Sequence, residues 1–207
     1  MKKINSFSFQ GVKGAYSELA GKNLYPDAES LPCSTFEEMF EQVRNNRVDA
    51  AMVPIENSLA GRVADIHYLL PKYKLQIHAE HFQKVEHNLL VKKDAELKDI
   101  KYVRSHAQAI DQCQKIILKN KFKTIVSADT AGSAKELSKS EDKSIAAIAS
   151  KLSAKIYNLK ILIKNVQDEM QNTTRFVVMS KKVSQPEYNK DKKYITTCIF
   201  RLKSIPA

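Results

Sequence analysis

Two polar clusters stand where apolar runs stop. The run 50–53 ends at Pro54 and delivers Glu56, Asn57 and Ser58 onto a loop. A carboxylic acid, an amide and a hydroxyl at the end of a buried strand are groups with which α/β proteins hold and protonate small ligands. Taken alone, the segment fits equally well a strand followed by a helix that Asn57 or Ser58 caps. A second cluster, Asn172-Thr173-Thr174-Arg175-Phe176, lies beside another apolar run and tips the balance toward a site. Its arginine is informative because a guanidinium holds a carboxylate bidentately, which lysine does poorly.

Other segments offer weaker chemistry. Gly11-Val12-Lys13-Gly14-Ala15-Tyr16-Ser17 lies between a strand and a helix, so its backbone N–H groups can face an anion; a tight connection explains the same glycines. No Lys-Ser/Thr follows the second glycine, which excludes a P-loop. Ser105, Gln108 and Gln112 share one edge of a helix whose buried stripe carries Ala109, Cys113, Ile116 and Ile117. They read either as a polar pocket wall or as partly exposed surface. His106 has no acid or nucleophile near it in sequence and reads as a cap or a solvated residue.

The elements that must position these groups alternate. Ile4, Phe7 and Phe9 mark a strand, and a helix from Ala15 carries Leu19, Ala20 and Leu24. A strand at 28–33 leads to a helix with Ser34 and Glu37 spaced as a capping box and Phe36, Met39, Phe40 and Val43 on one face. The strand 50–53 follows. Strand-like runs at 75–82 and 88–91 interrupt the alternation, which restarts with strands at 102–104, 124–126 and 145–148, each leading to a helix. This predicts an α/β protein of two lobes, each a mixed, mostly parallel sheet flanked by helices. Residues 159–172 and the strand 175–179 are expected to return to the first lobe, because a lone strand cannot bury both faces. The expected division is 1–77 plus 160–182 for one lobe, 78–159 for the other, and 183–207 for a linker and a further strand. Two connections between lobes leave a cleft and a hinge.

Composition excludes several classes. The 207 residues have 43% hydrophobic content, no secretion signal follows Lys2-Lys3, and no run is long enough to span a bilayer. Cys33, Cys113 and Cys198 lack CxxC or Cys/His spacing, which points to a reduced, cytoplasmic protein without disulfides or a metal site. The net charge of +11 comes from 34 basic residues, scattered lysines for the most part, with no basic stripe interleaved with aromatics. A solvated surface that draws in small anions explains it better than nucleic-acid binding does.

Five segments together resemble the motifs of the prephenate dehydratase family, in order and at matching spacing. They are Phe9-Gln10-Gly11-x-x-Gly14-Ala15-Tyr16-Ser17, Pro54-Ile-Glu-Asn-Ser58-x-x-Gly61-x-Val63, Ser105-His-x-Gln108 with Gln112-Cys113, Ala146-Ala-Ile-Ala-Ser150, and Asn172-x-Thr174-Arg175-Phe176. The resemblance implies a fold like that of type-II periplasmic binding proteins, with an active site in the interlobe cleft and a homo-oligomer. It also implies decarboxylating dehydration of prephenate to phenylpyruvate in phenylalanine biosynthesis, without a cofactor.

By motif match, Thr174 is the expected donor to the leaving hydroxyl, with Glu56 as an alternative acid if burial raises its pKa. Arg175 and the turn Gly14-Ala15-Tyr16-Ser17 are expected to hold the pyruvyl carboxylate, and Asn57, Ser58, Ser105, Gln112 and Phe176 to contact the substrate. Two positions depart from the family pattern: Ala107 replaces a usual proline, and Asn158 a usual glycine whose left-handed conformation asparagine tolerates.

Residues 194–207 resemble the first strand of an ACT regulatory domain, which predicts an incomplete domain and phenylalanine inhibition that is absent or weakened. Arogenate dehydration, for which no acceptor of the substrate amine is evident in the sequence, and a two-lobed carboxylate-binding protein without turnover are the alternative functions. A decayed remnant is disfavoured by the intact motifs.

Overall fold

A computed structural model of the chain describes residues 3–182, 188–191 and 193. The linker and ACT-like strand expected at 183–207 lie almost wholly outside the described residues, and so does Cys198. The first half runs β1 (Ser6–Gln10), α1 (Tyr16–Leu24), β2 (Glu29–Cys33), α2 (Phe36–Arg44), β3 (Ala50–Asn57), β4 (Gly61–Arg62), α3 (Ala64–Tyr73) and β5 (Gln76–Lys84). The second runs β6 (Asn88–Val91), β7 (Tyr102–Ser105), α4 (Ala107–Asp111), α5 (Gln114–Lys119), β8 (Lys123–Val126), α6 (Thr130–Lys139), β9 (Ile145–Ala149), α7 (Lys151–Ile156), β10 (Lys160–Ile163) and β11 (Thr173–Ser180).

Two mixed sheets result. The first has the order β2-β1-β3-β11-β5, with β4 hung on β3; the second has the order β10-β6-β9-β7-β8. Within each, strands that helices connect are parallel, as in β2-β1-β3 and β9-β7-β8. The strands that carry the chain back and forth are antiparallel, as in β3-β11-β5 and β10-β6-β9. The parallel bias expected from β-α-β alternation therefore holds, among the described residues, for two of the five pairings in the first sheet and two of the four in the second.

Period-2 burial gives each sheet two apolar faces. On the first, Ala51, Val53, Val177 and Met179 pack on α2 and α3 through Phe40, Val43, Ile66 and Leu69. Phe7, Phe9, Met52, Phe176 and Val178 form the opposite layer with Ala20 of α1. On the second sheet, Leu89, Val103 and Ile148 meet α4 and α5, while Leu90, Ala147 and Ala149 meet α6 and α7.

Three local expectations change. β3 does not stop at Pro54: it continues to Asn57, because the register against β11 skips Ile55 and the proline sits beside this irregularity, where a missing N–H is tolerated. Glu56 and Asn57 are thus strand residues, and only Ser58 belongs to the turn. The cap of α2 is Thr35, which accepts from Glu38 N–H at 3.1 Å while the Glu38 carboxylate accepts from Ser34 N–H at 2.7 Å, one residue on from the expected pair. The helix expected through 106–119 breaks at Gln112 and Cys113. There the Gln112 carbonyl takes Asp168 N–H at 2.7 Å and the Asp168 carboxylate takes Lys115 N–H at 3.1 Å, so a neighbouring segment supplies the partners that a continuous helix would make internally. His106, as expected, caps α4, its ring accepting from Gln108 N–H.

The boundary between lobes also moves. β5 pairs along its length with β11 and belongs to the first sheet through Lys84, beyond the expected break at 77. β10 pairs with β6 in the second sheet, so residues 160–163 do not return to the first. The chain crosses between sheets at 85–87 and again at 164–172.

Candidate functional site

The two crossings and the ends of β3 and β11 converge on a cleft of about 590 Å³. Tyr16 and Gln10 line it from the first sheet's side, His87 and Asn172 from the crossings, Asn57 and Thr174 from the ends of β3 and β11, and Gln112 from the break between α4 and α5. This is the position, beyond the carboxyl ends of parallel strands, where α/β sheets bind ligands.

Six of these side chains form one continuous hydrogen-bonded series. The Tyr16 hydroxyl lies 2.9 Å from His87 Nδ1 and 2.8 Å from the Glu86 carbonyl. His87 Nε2 lies 3.0 Å from Gln112 Oε1, which also accepts from Asn172 Nδ2 at 2.8 Å. Asn57 Nδ2 donates to Asn172 Oδ1 at 2.7 Å and to Thr174 Oγ1 at 2.9 Å.

The backbone fixes the sense of the last link. Asn57 Oδ1 accepts from the N–H groups of Leu59 and Ala60 at 3.0 and 2.9 Å, so its amide nitrogen must face Thr174. A hydroxyl that accepts from an amide keeps its own hydrogen to give. Among the described residues no acceptor takes it, and Thr174 lines the cleft.

Burial tunes the other end. The Tyr16 phenol is pushed well above 10, by desolvation first and then by Cys113 and Glu86. His87 is almost fully buried, and desolvation lowers its pKa below 6.5 against a smaller upward effect of the Gln112 bond. Both groups are held neutral at neutral pH.

The residues expected from sequence separate into two groups. Asn57, Gln112, Tyr16 and Thr174 come together in the cleft. Arg175 does not: alternation along β11 turns it to the opposite face, where Nε and Nη2 lie 3.1 and 2.9 Å from Glu80 Oε2 and the guanidinium covers the Phe82 ring. Glu56 pairs opposite Arg175 on β3, shares that face and is solvent-exposed. Phe176 is buried in the first sheet's core. Ser105 is fully buried and donates to the Ile148 carbonyl at 2.7 Å, tying β7 to β9. Ser58 ties its turn to the second crossing, donating to the Gln171 carbonyl at 3.0 Å and accepting from Thr173 N–H.

The glycine turn is occupied by protein. Gly14 N–H donates to Glu18 at 2.6 Å, and its carbonyl accepts from Ser150 and Ser153 at 2.7 and 2.9 Å, while Tyr157 donates to the Lys13 carbonyl. Of the two readings, an interlobe connection describes the turn. Ala15 and Ser17 do not line the cleft, whereas Arg62 does, together with Asp65 and Asp129. Sequence reasoning missed His87, Arg62 and Asp65. His87 carried no local signal, and Arg62 stood inside a motif read for its glycine and valine.

Comparison with known proteins shows the family to which the chain belongs. The family model described as prephenate dehydratase matches residues 7–184. The chain is 40% identical, over 200 residues, to a bifunctional N-acyl-homoserine lactone acylase/prephenate dehydratase of Komagataeibacter europaeus, covering 96% of this chain and 70% of that protein. It is 38% identical to arogenate dehydratase/prephenate dehydratase 2, chloroplastic, of Arabidopsis thaliana, over 96% of this chain and 52% of the relative. The solved structure of a prephenate dehydratase from Arthrobacter aurescens in complex with L-Phe superposes with a TM-score of 0.82 at 29% identity, over 89% of this chain and 63% of the other. The chain thus spans about half to two thirds of the length of most of these relatives.

Proposed function

Because this chain belongs to the prephenate dehydratase family, we propose that its cleft converts prephenate to phenylpyruvate. In this reaction the ring carboxylate leaves as carbon dioxide, its bonding electrons enter the ring, and the ring hydroxyl departs with one added proton as water. Aromatisation drives the step once the hydroxide is protonated. The single observation that carries the proposal is the Thr174 hydroxyl, which accepts from Asn57 and so presents its own hydrogen to the cleft. A threonine hydroxyl is too weak an acid to ionise at neutral pH, so it acts as a directed donor to the oxygen on which charge develops and relays to it the one proton that solvent supplies. Glu56, exposed on the far face of β3, is not needed for this role.

Arg62, not Arg175, supplies the cation for a substrate carboxylate, since it lines the cleft and has no ion-pair partner among the described residues. The departing carboxylate occupies the part of the cleft walled by Val85 and Ala109, where weak solvation favours loss of its charge. The resemblance adds a homo-oligomeric, cytoplasmic enzyme to the reading. Among the described residues no helix is long and apolar enough to cross a membrane.

A second substrate is favoured by a specific observation. Asp65, in the first turn of α3, lines the cleft and supplies the acceptor that the amine of arogenate requires. Purified protein assayed with prephenate and arogenate side by side tests both readings. Phenylpyruvate or phenylalanine formed by the wild type and not by Thr174→Val is the expected result, and no turnover of either substrate by folded protein overturns the proposal.

A further inference from the structure

The geometry points to His87 as a positioning residue that, held as the Nε2–H tautomer, anchors the far end of the series Gln112, Asn172 and Asn57 and so keeps the Asn57 amide seated against the Thr174 hydroxyl. This rests on the dehydratase reading for its catalytic consequence, but not for its structural one.

The argument runs along the amides. Backbone N–H groups of Leu59 and Ala60 fix Asn57 Oδ1, so Asn57 Nδ2 faces both Asn172 Oδ1 and Thr174 Oγ1. With its oxygen facing Asn57, Asn172 turns its nitrogen toward Gln112, whose Oε1 is thereby an acceptor. His87 Nε2 faces this same oxygen at 3.0 Å and must carry a hydrogen. In the neutral ring Nδ1 is then a lone pair 2.9 Å from the Tyr16 hydroxyl, which divides its single hydrogen between that nitrogen and the Glu86 carbonyl at 2.8 Å. Each flip of an amide or change of tautomer would set two donors or two acceptors face to face, and the buried surroundings make such a mismatch costly.

The backbone of His87 is also anchored. His87 N–H donates to Gln167 Oε1 at 2.9 Å and its carbonyl accepts from Val166 N–H at 2.8 Å, so one crossing clamps the other. The Tyr16 ring meets the imidazole edge-on, with centroids 5.6 Å apart. A side chain held in this way, near the end of the series opposite the proposed donor, braces the amides between it and Thr174 against rearrangement.

The test uses His87→Leu, which removes the donor to Gln112, and His87→Gln, whose amide can replace it. Without substrate, 15N NMR is expected to show His87 Nε2 protonated and Nδ1 unprotonated in the wild type. The side-chain amide resonances of Asn57 and Asn172 should shift in His87→Leu and return toward wild-type positions in His87→Gln. With substrate, kcat of His87→Leu should fall on the order of 100-fold with KM little changed, and His87→Gln should recover most of it. An Nδ1–H tautomer, or unchanged Asn57 and Asn172 amides in a folded His87→Leu protein, overturns the inference. So does a His87→Gln variant as slow as His87→Leu, which would make the imidazole itself the proton donor. The NMR results stand whether or not prephenate is turned over, so failure of the dehydratase reading and failure of this one are distinct outcomes.

Discussion

Thr174 and Arg175 are adjacent in sequence and face opposite sides of β11: the hydroxyl meets Asn57 at the cleft, and the guanidinium is paired with Glu80 and laid over Phe82. The two should therefore fail differently. Thr174→Val is expected to lower kcat by about 10²–10³-fold with KM nearly unchanged, the loss typical of one preorganised donor. Arg175→Ala should leave KM near normal and cost about 1 kcal/mol of stability, a modest value because the pair is partly solvated. Steady-state kinetics and thermal denaturation of both variants check this.

Arg62→Ala should raise KM roughly 10- to 100-fold, as expected when a charged hydrogen bond to a carboxylate is lost. Raising the ionic strength should weaken substrate binding in the wild type and much less in the variant. An unchanged KM would remove Arg62 from the site.

Gly14→Ala is expected to loosen the contact between lobes. Its φ is +93°, and an added Cβ would lie 2.6 Å from Ser153 Oγ and 3.0 Å from Ser153 Cα. Both strain and collision act at once, so the loss should exceed about 1 kcal/mol. Hydrogen exchange should rise in α7 and at 11–15 before it rises in the cores.

Acidification has a defined sign at His87. Its folded pKa lies below the unfolded 6.5, so the unfolded chain binds the proton more readily and stability rises with pH across this range. The contribution is fully present above 6.5 and is lost progressively as the pH falls below it. The melting temperature of the wild type should drop between pH 7 and pH 5 by more than that of His87→Gln.

Much of the site was legible because its residues sit in local motifs. Asn57 and Thr174 close apolar runs, and Gln112 follows Gln108 along a helix edge. What joins them was not legible, because Asn57 meets Thr174 across 117 positions and Tyr16 meets His87 across 71. A strand-like run announced β5, but such a pattern does not state which sheet a strand joins, and β10 was not read as a strand within 159–172. Pro54 carried a stop signal that the irregular pairing with β11 overrode. In α3 the burial of Ile66, Leu69, Leu70 and Tyr73 follows a helical period that was available in the sequence and passed over beside Pro71.

β11 lies between β3 and β5, yet it is made after the whole second sheet. During synthesis, therefore, every strand of the second sheet has been made while the first still lacks the strand that joins β5 to β3, whose facing edges are both unpaired. Joining them is a long-range pairing, of the kind that forms late, so the nascent chain keeps these edges open to aggregation until residues 173–180 emerge.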